Sequence, residues 1–190
     1  MTQSHDAIII GAGVIGVSIA FHLAERGLKP LILERKTVAS GATGHSSGLV
    51  RMHYDLKAES ELAFVSFSKY FINWRERIGG ECGFKQTGFL QIAKREHEDR
   101  LRGNVSNQQR LGINTSIISA ADVKKLAPDF LTDQFDFAAY EPDSGYADAT
   151  LTTNSMLDSA KRNGATLMQN CEVMSNHTAS GRVTGVTTNK

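Results

Sequence analysis

The chain has 190 residues, 41% of them hydrophobic and 22% charged, with 21 basic against 20 acidic side chains and a net charge of +1. That is the length and balance of one globular domain or slightly more, with no surplus charge to draw nucleic acid or an anionic membrane. Two cysteines, Cys82 and Cys171, cannot build a disulfide scaffold and suit a reducing compartment. The one early apolar run is too short for a membrane span and lacks the basic flank of a signal peptide, so a cytoplasmic protein with a packed core is expected.

Residues 6–10, Asp-Ala-Ile-Ile-Ile, read as a strand buried on both faces of a parallel sheet. Gly11-Ala-Gly-Val-Ile-Gly16 follows at once, then an apolar helix stopped by Gly27, then a second strand, Leu31-Ile-Leu33, ended by Glu34. This is a βαβ unit with a dinucleotide fingerprint. Gly11 allows the tight turn, Gly13 lets a pyrophosphate approach the backbone, and Gly16 lets the helix lie close to the strand. The helix N-terminus offers free N–H groups to phosphates. Glu34, 18 residues after Gly16, suits a ribose diol and repels a 2′-phosphate, which favours FAD or NAD over NADP. This unit alone leaves FAD and NAD both open.

A second small-residue segment, ASGATGHSSG at 39–48, comes directly after the second strand, at the sheet edge where open α/β folds bind ligands. A simple NAD domain has no use for it; a longer cofactor lying across that edge does. LVRMHY at 49–54 follows. Residues 59–78 read as one helix with a stripe of Phe64, Phe67, Phe71, Trp74 and Ile78, stopped by Gly79-Gly80. Strands are expected at 88–93, 113–118 and 135–140. An exposed helix is expected at 95–111, and a short one opening at a Ser119–Asp122 capping box. Residues 148–163 return to helix with Asp148 as N-cap, followed by a strand over 165–173 and an antiparallel excursion over 182–188, whose edge is expected to be unpaired. Among the sequence motifs there is no metal-ligand cluster and no Ser-His-Asp constellation.

The fingerprint together with ASGATGHSSGLVRMHY resembles the D-amino-acid-oxidase-like FAD-dependent oxidoreductases, most of all sarcosine oxidase beta subunits and dimethylglycine dehydrogenases. GFKQTGFLQIA at 83–93, EPDSGYADA at 141–149 and GATLMQNCEV at 164–173 agree with it. The resemblance implies an α/β protein (α+β overall): a Rossmann-like FAD-binding sheet in two parts, 1–50 and 148–190, with an inserted mixed strand and helix substrate portion at 51–147. It implies FAD held by Gly11, Gly13, Gly16, Glu34, Arg35, Ser40, Thr43, His45, Ser46, Gly48 and Val173. His45 is also the candidate for a covalent flavin link, against an unlinked histidine near the cofactor.

Arg51 matches an arginine that holds a substrate carboxylate, and Tyr54 a cavity-lining residue; His53 either lines that cavity or packs. No catalytic base is assigned. The implied activity is oxidation of a small amine or N-methylated amino acid at the C–H next to nitrogen. Family members are roughly twice this long, which leads to the expectation of a fragment, or of a subunit completed by a partner. An NAD-dependent dehydrogenase and a catalytically inactive FAD-binding remnant are the rival readings.

Overall fold

The computed structural model describes residues 4–190. In chain order its elements are β1 (Ala7–Ile10), α1 (Val14–Ala24), β2 (Pro30–Leu33), a 3-10 turn (Ala42–His45), β3 (Leu49–Val50), α2 (Lys57–Lys69), a 3-10 turn (Phe71–Asn73), α3 (Trp74–Arg77), β4 (Lys85–Gln86), β5 (Phe89–Ala93), a 3-10 turn (Arg95–His97), α4 (Glu98–Arg110), β6 (Ser116–Ser119), α5 (Ala120–Leu126), β7 (Phe137–Glu141), β8 (Gly145–Tyr146), α6 (Ala149–Arg162), β9 (Thr166–Met168), β10 (Val173–Ala179) and β11 (Arg182–Thr188). The chain divides into two compact units. The first comprises residues 4–48, 74–83 and 148–190; the second comprises 49–73 and 84–147.

The first unit holds a three-stranded parallel sheet in the order β1-β2-β9. Its centre, β2, is buried at every position, which is why Leu31-Ile-Leu33 is uniformly branched and apolar. α1 turns Val17, Ala20, Phe21 and Ala24 inward and packs against α6, whose Thr153, Met156, Leu157 and Ala160 are buried. Asp148 caps α6 as its sequence position predicts, its carboxylate accepting from the Leu151 amide at 2.7 Å. Residues 74–83, which the sequence places inside the 51–147 portion, pack in this unit. The Trp74 indole donates to Ser155 Oγ at 2.9 Å, Arg162 donates to the Ile78 carbonyl at 2.9 Å, and Arg77 pairs with Glu25.

One expectation is corrected here. The strand expected over 165–173 runs only through Thr166–Met168, because Asn170 takes a left-handed φ of 52°, a conformation that Asn tolerates better than most residues. The chain then bends back, with the amides of Asn170 and Cys171 donating to the carbonyls of Lys36 and Glu34. The 182–188 excursion pairs antiparallel with β10, and among the described residues the other edge of β11 is left open, as expected. A more apolar open edge belongs to β1, whose one strand partner among the described residues is β2. Ile8, Ile10, Ile15 and Ile19 are 39%, 59%, 75% and 47% exposed and line one groove with Leu23. Exposed apolar surface beside an open strand edge promotes association. Ile19→Lys is therefore expected to shift the chain toward monomer in sedimentation velocity without lowering its melting temperature; an unchanged distribution would show that this groove drives no association.

The second unit has a three-stranded antiparallel sheet, β5-β7-β6, covered on both faces. Phe137 and Ala139 of β7 pack with Leu101 and Val105 of α4, while Ala138 packs with Val123 and Phe135. This is the alternation of a strand whose two faces are both buried. Ser119 caps α5, its hydroxyl accepting from the Asp122 amide at 3.1 Å. A small sheet, β3-β8-β4, lies beside a third core of Met52, Phe67 and Ile113.

The helix expected over 59–78 breaks at Tyr70. The hydroxyls of Ser66 and Ser68 donate back to the carbonyls of Leu62 and Phe64, bonds that weaken and bend a helix. The single aromatic stripe is thereby divided, with Phe64, Phe67 and Phe71 in the second unit's core and Trp74 and Ile78 buried in the first.

Candidate functional site

A groove of about 770 Å³ runs along the first unit at the carboxyl ends of β1 and β2. Its floor is the Gly11–Gly16 turn. Gly11 has a φ of +102°, which only glycine adopts without strain. A side chain at Gly16 would lie 2.1 Å from the Gly11 carbonyl oxygen, so α1 sits directly on the turn. Gly13 lines the groove and also answers a packing demand. A Cβ there would meet Thr43 Oγ1 at 3.1 Å, and that hydroxyl accepts from the Val14 amide at 3.0 Å. Gly13 thus makes room for the second small-residue segment, which caps a helix whose own first turn has no acidic residue and no side-chain cap.

Glu34 is an anchor as well as a polar end to the groove. Its two carboxylate oxygens accept from the amides of Ala12 at 2.9 Å and Lys36 at 2.7 Å. That ties the end of β2 to the glycine turn and leaves further lone pairs for a ligand diol.

Of the cofactor-binding residues expected from sequence, Gly11, Gly13, Glu34 and Arg35 line this groove, as do Ser40, Thr43, Ser46 and Val173. Gly16 supports it from beneath α1. His45 ends the 3-10 turn exposed, and neither it nor Gly48 is among the lining residues. Lys36, Cys171 and Glu172 line the groove without having been anticipated. Lys36 adjoins Arg35 in sequence and could have been found there; Cys171 and Glu172 arrive through the bend at Asn170, which leaves no periodic signal.

The second unit carries its own cavity of about 320 Å³, lined by Arg51, His53, Tyr54, Asp55, Arg100 and neighbours on β5 and α4. The Arg51 guanidinium lies over the rings of Tyr54 and Phe89, 4.5 and 5.2 Å from their centroids. This cation–π seat orients the fork without using its N–H groups. Arg100 is 3.9 Å from Asp55; Arg51 makes no hydrogen bond or ion pair among the described residues. His53 is 2% exposed, and among the described residues neither ring nitrogen closes a hydrogen bond, although the nearby Gln108 side chain favours its charged form. Burial first, and then the Arg51 charge, holds its pKa below the usual histidine value, so the ring is neutral near pH 7. Beneath this segment Glu141, fully buried, accepts from the Met52 amide at 3.0 Å and the Ser144 hydroxyl at 2.8 Å.

The family model for FAD dependent oxidoreductases matches residues 6–190. The chain belongs to the FAD dependent oxidoreductase family. It is 28% identical over 175 residues to human mitochondrial sarcosine dehydrogenase, covering 91% of this chain and 19% of that protein. It is 27% identical over 189 residues to the mouse mitochondrial pyruvate dehydrogenase phosphatase regulatory subunit, covering 97% of this chain and 21% of the other. Among solved structures, the L-proline dehydrogenase of P. horikoshii superposes with a TM-score of 0.91 at 27% identity, over 100% of this chain and 50% of that one. The chain therefore spans half or less of the length of these relatives.

FAD is the cofactor of this flavoprotein family, and the groove fits it. The Gly11–Gly16 turn and the start of α1 suit a pyrophosphate, Glu34 a ribose, and the 171–173 bend closes one side. The groove's extension along Ser40–Thr43 and Ser46 is what a nicotinamide domain would not require, and the NAD reading is set aside. Among the described residues no group of acidic, histidine and cysteine side chains could hold a metal, and no helix is long and apolar enough to cross a membrane.

Proposed function

We propose that this flavoprotein oxidises a small amine or N-methylated amino acid of the sarcosine type at the C–H next to nitrogen. FAD supplies the two-electron acceptor; the chain's own residues bind and orient. The carrying observation is Arg51: a guanidinium held on two aromatic faces, lining a cavity, with its carboxylate-matching fork unused. In this reading Arg51 takes the substrate carboxylate and Tyr54 is the wall on which the arginine rests. The amine enters neutral, and no side chain is assigned as base; the imine product hydrolyses. A second reading, a flavin-binding subunit that performs no oxidation, is favoured by the likeness to a protein named as a regulatory subunit.

The test is a visible spectrum of the chain after FAD loading and removal of excess, then anaerobic addition of sarcosine. The expected result is retained flavin absorbance that sarcosine bleaches, with colour released to the supernatant by acid. Retained flavin that neither sarcosine, glycine nor proline bleaches would overturn the oxidase reading in favour of the second. Colour left in the acid pellet would assign a covalent link, His45 being the first residue to substitute.

A further inference from the structure

The second unit's cavity contains an unusual pair of uncommitted groups. Arg51 has five N–H donors and, among the described residues, no hydrogen-bond or ion-pair partner. Two residues along the chain, His53 is almost wholly buried and lines the same cavity, with both ring nitrogens unsatisfied. The Gln108 side chain lies near the ring and favours its charged form, but its nitrogen donates to the Tyr54 carbonyl at 3.4 Å and its oxygen closes no hydrogen bond among the described residues. Buried polar side chains in folded proteins nearly always find partners, and an unsatisfied one costs free energy. A buried imidazole facing a ligand cavity beside a free guanidinium has the composition of a two-point receptor for a planar oxyanion.

We propose that His53 is a specificity-determining residue: its neutral imidazole donates one N–H to the carboxylate that Arg51 grips, so that the cavity selects small amino acids over amines lacking a carboxylate. This rests on the reading of Arg51 as the carboxylate anchor. The cavity, at about 320 Å³, lies at the small end of ligand sites, which suits an amino acid of a few heavy atoms. The cavity's other strong cation, Arg100, is near Asp55, and His97 is near Glu96 at 3.5 Å. Arg51 is therefore the cation left to meet an incoming anion.

The experiment measures sarcosine affinity by calorimetry, with methylamine as the probe lacking a carboxylate, for the FAD-loaded wild type, Arg51→Met, His53→Leu and His53→Gln. Melting temperatures are recorded alongside. His53→Leu is expected to weaken sarcosine about 3- to 10-fold, the worth of one hydrogen bond. It should leave methylamine unchanged and not lower the melting temperature, because no internal bond is removed; His53→Gln should recover part of the affinity. A fall in melting temperature with His53→Leu would overturn the proposal by showing the ring to be structural. Unchanged sarcosine affinity, while Arg51→Met weakens it, would overturn His53 alone and leave the Arg51 reading standing. No sarcosine binding by the wild type, or none lost in Arg51→Met, would overturn both.

Discussion

Gly16→Ala should cost at least about 3 kcal/mol, the upper range for inserting a methyl into a packed interior, and lower the melting temperature by about 6–12 °C for a chain of this size. The new Cβ would stand 2.1 Å from the Gly11 carbonyl oxygen and 3.3 Å from the Ile9 side chain. The first of these is backbone and cannot swing away. Relief requires α1 to lift off the turn, which disturbs its packing on α6 and moves its N-terminus away from the phosphate end of the groove. FAD affinity should fall together with stability. Gly185→Ala is the control, because its Cβ meets nothing within 4 Å and a change there should stay within about 0.5 kcal/mol. Thermal denaturation of the two variants side by side decides the matter. A Gly16→Ala protein that melts with the wild type and keeps its flavin would contradict the close seating of α1 on Gly11.

The same glycine shows why the cofactor half of the molecule was legible in sequence. Gly11, Gly16, the apolar β2 and Glu34 each answer a local geometric demand, and those demands sit at fixed spacings within one βαβ unit. Thr43 was legible as part of a small-residue segment, but its bond to Val14 was not, because it joins residues 29 positions apart. The break at Tyr70 escaped notice because the aromatic stripe keeps helical spacing across it, and spacing does not reveal that one stripe serves two cores. Cys171 and Glu172 were missed because a single left-handed Asn170 redirects the chain. Glu141 stood inside a motif that carried the family resemblance, yet its partner Met52 is 89 residues away, and only the folded chain shows that this carboxyl holds the segment bearing Arg51 and His53.

That position yields the second large effect. Glu141→Leu leaves the Met52 amide and the Ser144 hydroxyl without their acceptor in a site with no solvent exposure. At about 1–3 kcal/mol for each buried donor left unpaired, a total loss of about 2–6 kcal/mol is expected. Glu141→Gln behaves differently. Desolvation pushes the Glu141 pKa above its ordinary 4.5, against the pull of the Met52 amide, the Ser144 hydroxyl, the His53 amide and the Arg51 charge. A carboxyl that holds its proton more tightly when folded than when unfolded favours folding below its ordinary pKa. That contribution is lost as pH rises through the raised folded value. The glutamine side chain keeps a carbonyl acceptor and has no proton to lose, so Glu141→Gln should match the wild type near pH 4.5 and become the more stable protein as pH rises, whereas Glu141→Leu stays below both throughout. Urea denaturation of the three proteins between pH 4.5 and 8 measures this. A glutamine variant that is less stable than the wild type by a constant amount across that range would mean that the ionised carboxylate, with its stronger acceptance from Met52 and Ser144, is what holds the Arg51 segment in place.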